Sequence, residues 1–460
     1  MRNSVVHTLT HAALAAGLLS QCLPAQDNPL QDSAPIVETP HGFHIYSASV
    51  YWGYASTAYP TNGLALNNSS AILGLGPDQL YGGEVTAGWE RHRGRTNISL
   101  HYSGGYSGMI RYSDANGWTH ALALDIGRQL TARWTATVSG WANDGTLAQY
   151  LFRPEQLTQV TQQPMDFSDF AAALSVGQFS NAQIASMLTG APILESPAQS
   201  LVLGDRILSY SGQAGVSFAY SSRLNFHLSS MSAAGESRLG SAATGGAPAN
   251  YVMPRSIGAT GGAGFSYMLT PRTTIGLDAD EYLTRNRYQD ARSTTGTFSV
   301  GRKMSERWLL RVYGGGSLMR SSLTGSGSQS LRQVVGGGTL GVKVRSQSLA
   351  ASYDRSSSDS FGFATGLIIT ETGSWHWQRP GSRWSAFAGF GQEQMRNTGF
   401  ASISGWRATG GAGIRLSDQS ALQVEYAHLQ SGGTYAGFFN QLQVDSIRLS
   451  LSWMPAGMVH

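Results

Sequence analysis

From His44 to Trp453 the dominant signal is the recurrence of apolar residues at every second position, and that period constrains the fold more than any other feature. In Thr119–Gly127, Leu122, Leu124 and Ile126 alternate with Ala121, Ala123, Asp125 and Gly127. In Arg95–Ser103, Ile98, Leu100 and Tyr102 alternate with Asn97, Ser99 and His101. The same pattern returns at Val85/Ala87/Trp89, Ala214/Val216/Phe218/Tyr220, Leu224/Phe226/Leu228, Ala263/Phe265/Tyr267, Ile275/Leu277/Ala279, Leu422/Val424/Tyr426 and Ile447/Leu449/Leu451/Trp453. Successive side chains of a strand point to opposite faces, so each segment predicts a strand with one greasy face and one small or polar face.

Alternation alone does not separate a barrel in lipid from a soluble sandwich, because both give each strand one apolar neighbour. The connections separate them. Alternate turns are short: 91–95 (RHRGR), 128–133 (RQLTAR), 220–223 (YSSR), 269–272 (LTPR), 302–307 (RKMSER), 344–347 (VRSQ), 379–383 (RPGSR) and 416–419 (LSDQ). The intervening stretches, near 55–82, 105–117, 144–206, 233–256, 319–330, 394–403 and 430–441, are mostly longer and irregular. Short turns on one side and long loops on the other define a barrel that crosses an outer membrane, with the short turns in the periplasm.

Internal repetition points to one hairpin template used many times. GRQLTARW (127–134) returns as GRKMSERW (301–308), and ATGGAG occurs at both 259–264 and 408–413. Of the 11 tryptophans, Trp89, Trp134, Trp308, Trp375, Trp377, Trp384 and Trp453 sit beside the short turns or the end of the last strand, which predicts an aromatic girdle at one membrane interface. Strands counted from near Gly42–Tyr54 to near Leu442–Trp453 number 18, with 16 the alternative. Lipid offers no hydrogen-bond partner, so the sheet must close, pairing the first strand with the last.

Composition narrows the function classes. Charged residues make up 13% of the chain, against roughly a quarter in soluble globular proteins. The formal net charge is +4, and no run of like charges offers a nucleic-acid strip. The single cysteine, Cys22, excludes a disulfide framework and a zinc site of two or more thiolates. Residues 1–25 read as a secretory signal peptide: Arg2, an apolar stretch from Val5 to Leu19, then Leu23-Pro24-Ala25 with cleavage after Ala25. Acylation of Cys22 is the alternative, although Gln21 stands where a small residue is required. Residues 26–41 read as a flexible leader and 454–460 as a C-terminal tail. Past Ala25 no apolar run is long enough for a membrane helix.

Over residues 42–453 the chain resembles a Gram-negative outer-membrane β-barrel, porin-like in size. The resemblance rests on the alternation, the turn asymmetry and the terminal strand SIRLSLSW. Members of the class usually end on an aromatic residue, whereas here Trp453 is followed by MPAGMVH. The resemblance implies an all-β, antiparallel, up-and-down transmembrane barrel placed in the cell outer membrane.

The polar faces supply the candidate site. Asp278 and Asp280 share one face, about 6–7 Å apart by the strand rise. Glu84, Glu90, Asp125, Lys343, Glu425 and Arg448 also lie on the polar face of their strands, so the expected inner wall carries both signs. Gly336–Gly341 satisfies G-x-G-x-x-G, but strand pattern continues through Val342 and Val344 where a dinucleotide site needs a helix. We read those glycines as places of bending or of room for neighbours. No motif for a nucleophile, a metal or a cofactor is present, so no catalytic residue, metal or cofactor is expected.

The 144–206 connection carries helix signals at 154–163, 166–174 and 180–190, and its Phe167, Phe170, Leu174, Phe179, Ile184, Met187 and Leu188 are too apolar for a solvated tail. It is expected to fold as short helices that either narrow the barrel or cap it. The function expected is a pore for diffusion or export of polar solutes restricted by this segment. Its partners would be outer-membrane lipid and small polar solutes or ions, with no nucleic acid. The alternative is a plugged scaffold, or a component of a surface or polysaccharide export machinery, whose loops bind partner proteins or polysaccharide. A soluble periplasmic β-protein is a third reading.

Overall fold

The computed structural model describes residues 42–56, 76–111, 116–146, 206–238, 255–286, 289–305, 307–323, 327–359, 367–397, 401–435 and 438–454. The signal-peptide and leader assignments, Cys22, the tail beyond Met454 and the helical segments expected within 144–206 lie outside these residues. Eighteen strands follow one another: β1 (Gly42–Ala55), β2 (Asp78–Arg93), β3 (Thr96–Met109), β4 (Gly117–Gln129), β5 (Trp134–Thr146), β6 (Arg206–Ala219), β7 (Leu224–Arg238), β8 (Ser256–Thr270) and β9 (Thr273–Arg285) form the first half. The second half comprises β10 (Gln289–Lys303), β11 (Trp308–Leu323), β12 (Gly327–Val344), β13 (Gln347–Asp359), β14 (Leu367–Arg379), β15 (Trp384–Asn397), β16 (Ala401–Arg415), β17 (Ser420–Tyr435) and β18 (Phe438–Trp453).

Each strand pairs antiparallel with its sequence neighbours, and β1 pairs with β18 from Ala48↔Trp453 to Ala55↔Ser446, which closes the sheet. Closure removes every edge, the condition for a sheet in lipid. The period-two pattern becomes the barrel's two surfaces. Val50, Leu228, Leu277, Val334 and Leu449 are exposed on the outside, Val334 by 72%. Small and polar residues such as Ser103, Ser266, Ser317 and Thr339 face inward and are buried. An outside that presents Phe, Trp, Leu and Val to its surroundings is stable only against hydrocarbon.

The eight short turns fall where the sequence places them, and the repeated octapeptide folds twice into one turn. The amides of Leu130 and Thr131 donate to the Trp134 carbonyl, and those of Met304 and Ser305 donate to the Trp308 carbonyl. Thr131 and Ser305 each accept the amide two residues on, as do Ser221 and Ser417. A hydroxyl that reaches its own backbone replaces ladder partners lost at the turn. The tighter two-residue turn after β2 puts Gly94 at φ +58, where a residue without Cβ is unstrained.

On the opposite rim the strands run further than hydropathy suggests. Stretches expected as loops at 319–330, 394–403 and 430–441 are mostly strand, leaving connections at 324–326, 398–400 and 436–437. There the outward face turns polar, as at Arg320, Ser322 and Gln394, so alternation fades while the ladder continues. The longest intervals between strands therefore fall in the first half of the chain, at 56–77, 147–205 and 239–255.

Candidate functional site: the lumen wall

Register fixes which side chains share the inner wall. Trp89 lies opposite outward Phe43, so Glu90 and Glu84 point inward on β2. Leu124 is outward, which turns Asp125 inward on β4, and outward Leu277 turns Asp278 and Asp280 inward on β9. The same parity places Lys343 on β12, Glu425 on β17 and Arg448 on β18 on the inner face, Lys343 one residue from the short-turn end of its strand. The inner wall thus holds all eight polar candidates, but spread around the circumference rather than in one cluster.

Local groups form by bridging across a middle strand. His227 on β7 and Asp278 on β9 flank Gly264 on β8, and their side chains meet over it at 2.9 Å from Nε2 to Oδ1. A Cβ at Gly264 would fall on Asp278 Oδ1 and 2.7 Å from His227 Nε2, so the bridge requires glycine there. One step along, Gly262 leaves the same room between Ser229 and Asp280. Tyr313 on β11 donates its hydroxyl proton to Asp354 on β13 at 2.5 Å, across Gly337 of β12. His376 and Thr409 likewise flank Gly389.

Contacts between adjacent strands complete the wall. Arg448 donates to Glu425 Oε2 at 2.7 Å, the Tyr46 hydroxyl donates to Glu90 at 2.7 Å, and the Ser103 hydroxyl donates to Glu84 at 2.9 Å. These charge-assisted bonds hold long side chains flat along the wall instead of letting them cross the lumen. A partnered carboxylate keeps its charge with less dehydration cost than an isolated one. What such a wall does chemically is set a field and a bore. No cluster of three or more His, Cys, Asp or Glu side chains with metal-binding geometry occurs among the described residues.

Sequence reading missed His227, Arg311, Tyr313, Asp354, Glu393 and Arg407, which also face inward; Arg311, Glu393 and Arg407 are buried. On β11 the signal was masked by inward Leu309, which interrupts the polar parity of Trp308-Leu309-Leu310-Arg311-Val312-Tyr313. The G-x-G-x-x-G run lies inside β12 with no helix after it, and at outward Gly336 and Gly338 a Cβ would stand 3.0 and 2.9 Å from the carbonyl oxygens of Tyr313 and Arg311. The seven tryptophans all take the outward parity at the short-turn end; Trp134 stacks on Phe218 with centroids 4.5 Å apart.

A closed, even-stranded antiparallel barrel with an apolar exterior, a polar interior and tight turns on one rim is a multi-pass outer-membrane β-barrel, porin-like in strand number. Neither a protein family nor a curated protein matches the sequence. Among solved structures, OccK11 (OpdR) of Pseudomonas aeruginosa aligns with 12% identity and a TM-score of 0.38, over 90% of this chain and 97% of that one. The outer membrane protein opdK of Pseudomonas aeruginosa aligns with 10% identity and a TM-score of 0.41, over 89% and 98%. The FrpB iron transporter of Neisseria meningitidis aligns with 8% identity and a TM-score of 0.37, over 89% and 81%. The assignment above rests on the barrel's own geometry.

Proposed function

We propose that this barrel is a passive pore for small polar solutes, that it favours cations, and that the 144–206 segment restricts it. The observation that carries the reading is the charge of the inner wall. Away from the short-turn rim, where Glu90 and Lys343 lie, Glu84, Asp125, Asp278, Asp280, Asp354, Glu393 and Glu425 face inward against Arg311, Arg407 and Arg448. Barrels near this strand number enclose an aqueous channel unless something fills it, and rings of acids in such a channel raise the local concentration of cations. In this reading the eight polar candidates tune ion preference and none performs catalysis.

The test is single-channel conductance of the detergent-purified mature chain in a planar bilayer, beside a variant lacking residues 151–197. Stepwise conductance is expected in the parent, with larger steps in the deletion and a zero-current potential of cationic sign across a salt gradient. Steps in the deletion alone would make the segment a complete plug. Silence in both would abandon the pore in favour of a scaffold.

A further inference from the structure

The short-turn rim is strongly basic in a repeated way that the pore reading does not use. Six of the eight turns place an arginine immediately before the ascending strand: Arg95, Arg133, Arg223, Arg272, Arg307 and Arg383. In each case the arginine carbonyl accepts a backbone amide from the neighbouring descending strand, at 2.7 to 2.9 Å, so the six occupy one equivalent position. All six side chains are exposed, and none forms an ion pair with an acid among the described residues. Across the eight turn sequences the only acids are Glu306 and Asp418.

Depth and spacing indicate what meets these charges. Arg133, Arg307 and Arg383 directly precede Trp134, Trp308 and Trp384 of the girdle, which places their backbone at the membrane interface. Where the six lie on alternate strands, neighbours are about 10 Å apart around the outside. A binding patch for one protein would be confined to one sector, whereas these lie on β3, β5, β7, β9, β11 and β15 and so spread around most of the barrel, with none on the sector from β16 to β2. What surrounds a barrel on every side at that depth is the headgroup layer of the periplasmic leaflet.

We propose that this arginine ring binds the phosphates of anionic phospholipids in the periplasmic leaflet, holding a charged lipid annulus and fixing the barrel's depth. Guanidinium pairs with phosphate in a bidentate fork, and Arg91, Arg93, Arg128, Arg302, Arg345 and Arg379, in or beside the same turns, add to the positive field of that face. The ring needs only the inserted barrel, so it stands whether or not the pore conducts.

The experiment reconstitutes the mature protein into phosphatidylcholine vesicles containing a minor fraction of phosphatidylglycerol and counts retained lipids by native mass spectrometry. Phosphatidylglycerol should be enriched on the parent over its share of the vesicle and lost with rising salt. Arg95→Gln, Arg223→Gln and Arg272→Gln together should lower the enrichment by about fivefold at each lipid site neutralised, leaving the sites at Arg133, Arg307 and Arg383. Heat-modifiable gel migration verifies that the variant is folded. Should it fail to fold, the salt dependence of the parent decides the matter alone. A parent without enrichment, or a folded variant that retains the parental enrichment, overturns the proposal. So does a variant that changes only the zero-current potential, because the arginines would then serve the pore mouth.

Discussion

At the scale of single residues, glycine decides how the wall is built. Gly314 and Gly315 are adjacent on β11, but a Cβ at outward Gly314 meets nothing within 4 Å while one at inward Gly315 would fall on the Gly296 carbonyl oxygen. Gly314→Ala should therefore leave stability unchanged or raise it by about 0.5 kcal/mol, since alanine loses less chain entropy. Gly315→Ala should cost about 1–3 kcal/mol, as overpacking against backbone does. Urea titration of the folded barrel in vesicles, followed by tryptophan fluorescence, compares the two. The acid pair on β9 gives a functional counterpart: Asp278→Asn with Asp280→Asn should move the zero-current potential toward that of an unselective pore, and an unmoved potential would remove these residues from the selectivity reading. Both aspartates were legible in the sequence as a same-face pair. His227, the partner of Asp278, was not, because it lies across Gly264 on another strand.

At the scale of the strand, parity is the testable quantity. Leu124 on β4 is outward and Ala123 inward, the first 39% and the second 6% exposed. Leu124→Arg should lower folding stability by about 2–4 kcal/mol, the cost of a cation near the middle of the bilayer, whereas Ala123→Arg should cost less. Equal folding yields of the two variants in vesicles would show the register to be wrong. Period two revealed strand identity and facing because only an apolar exterior survives in lipid. It lost the upper strand ends because both faces meet polar surroundings there, as at Arg320 and Ser322.

At the scale of the whole molecule, closure between β1 and β18 decides whether there is an interior at all. Val50 and Leu451 are register partners on the outward face, while Val50 and Leu449 are offset by two residues. In the mature chain, where Cys22 is expected to be absent, Val50→Cys with Leu451→Cys should form a disulfide under mild oxidation and keep the barrel folded. Val50→Cys with Leu449→Cys should cross-link much less. Comparable cross-linking of both pairs, read on a non-reducing gel, would mean that the seam slides or is open.

The sequence by itself narrowed the strand number to 18 or 16 and determined the face of each strand and the side of the short turns, because each follows from contact with lipid, with water or with a neighbour a few residues away. The tertiary structure alone decided which polar groups meet. His227 with Asp278, Tyr313 with Asp354 and Arg448 with Glu425 pair across one or two ladders, joining residues 51, 41 and 23 apart in the chain. A period of two fixes which face a side chain takes but carries no information about its lateral neighbours. Those are set by the register of closed hydrogen-bonded ladders and by the glycines that let side chains cross them.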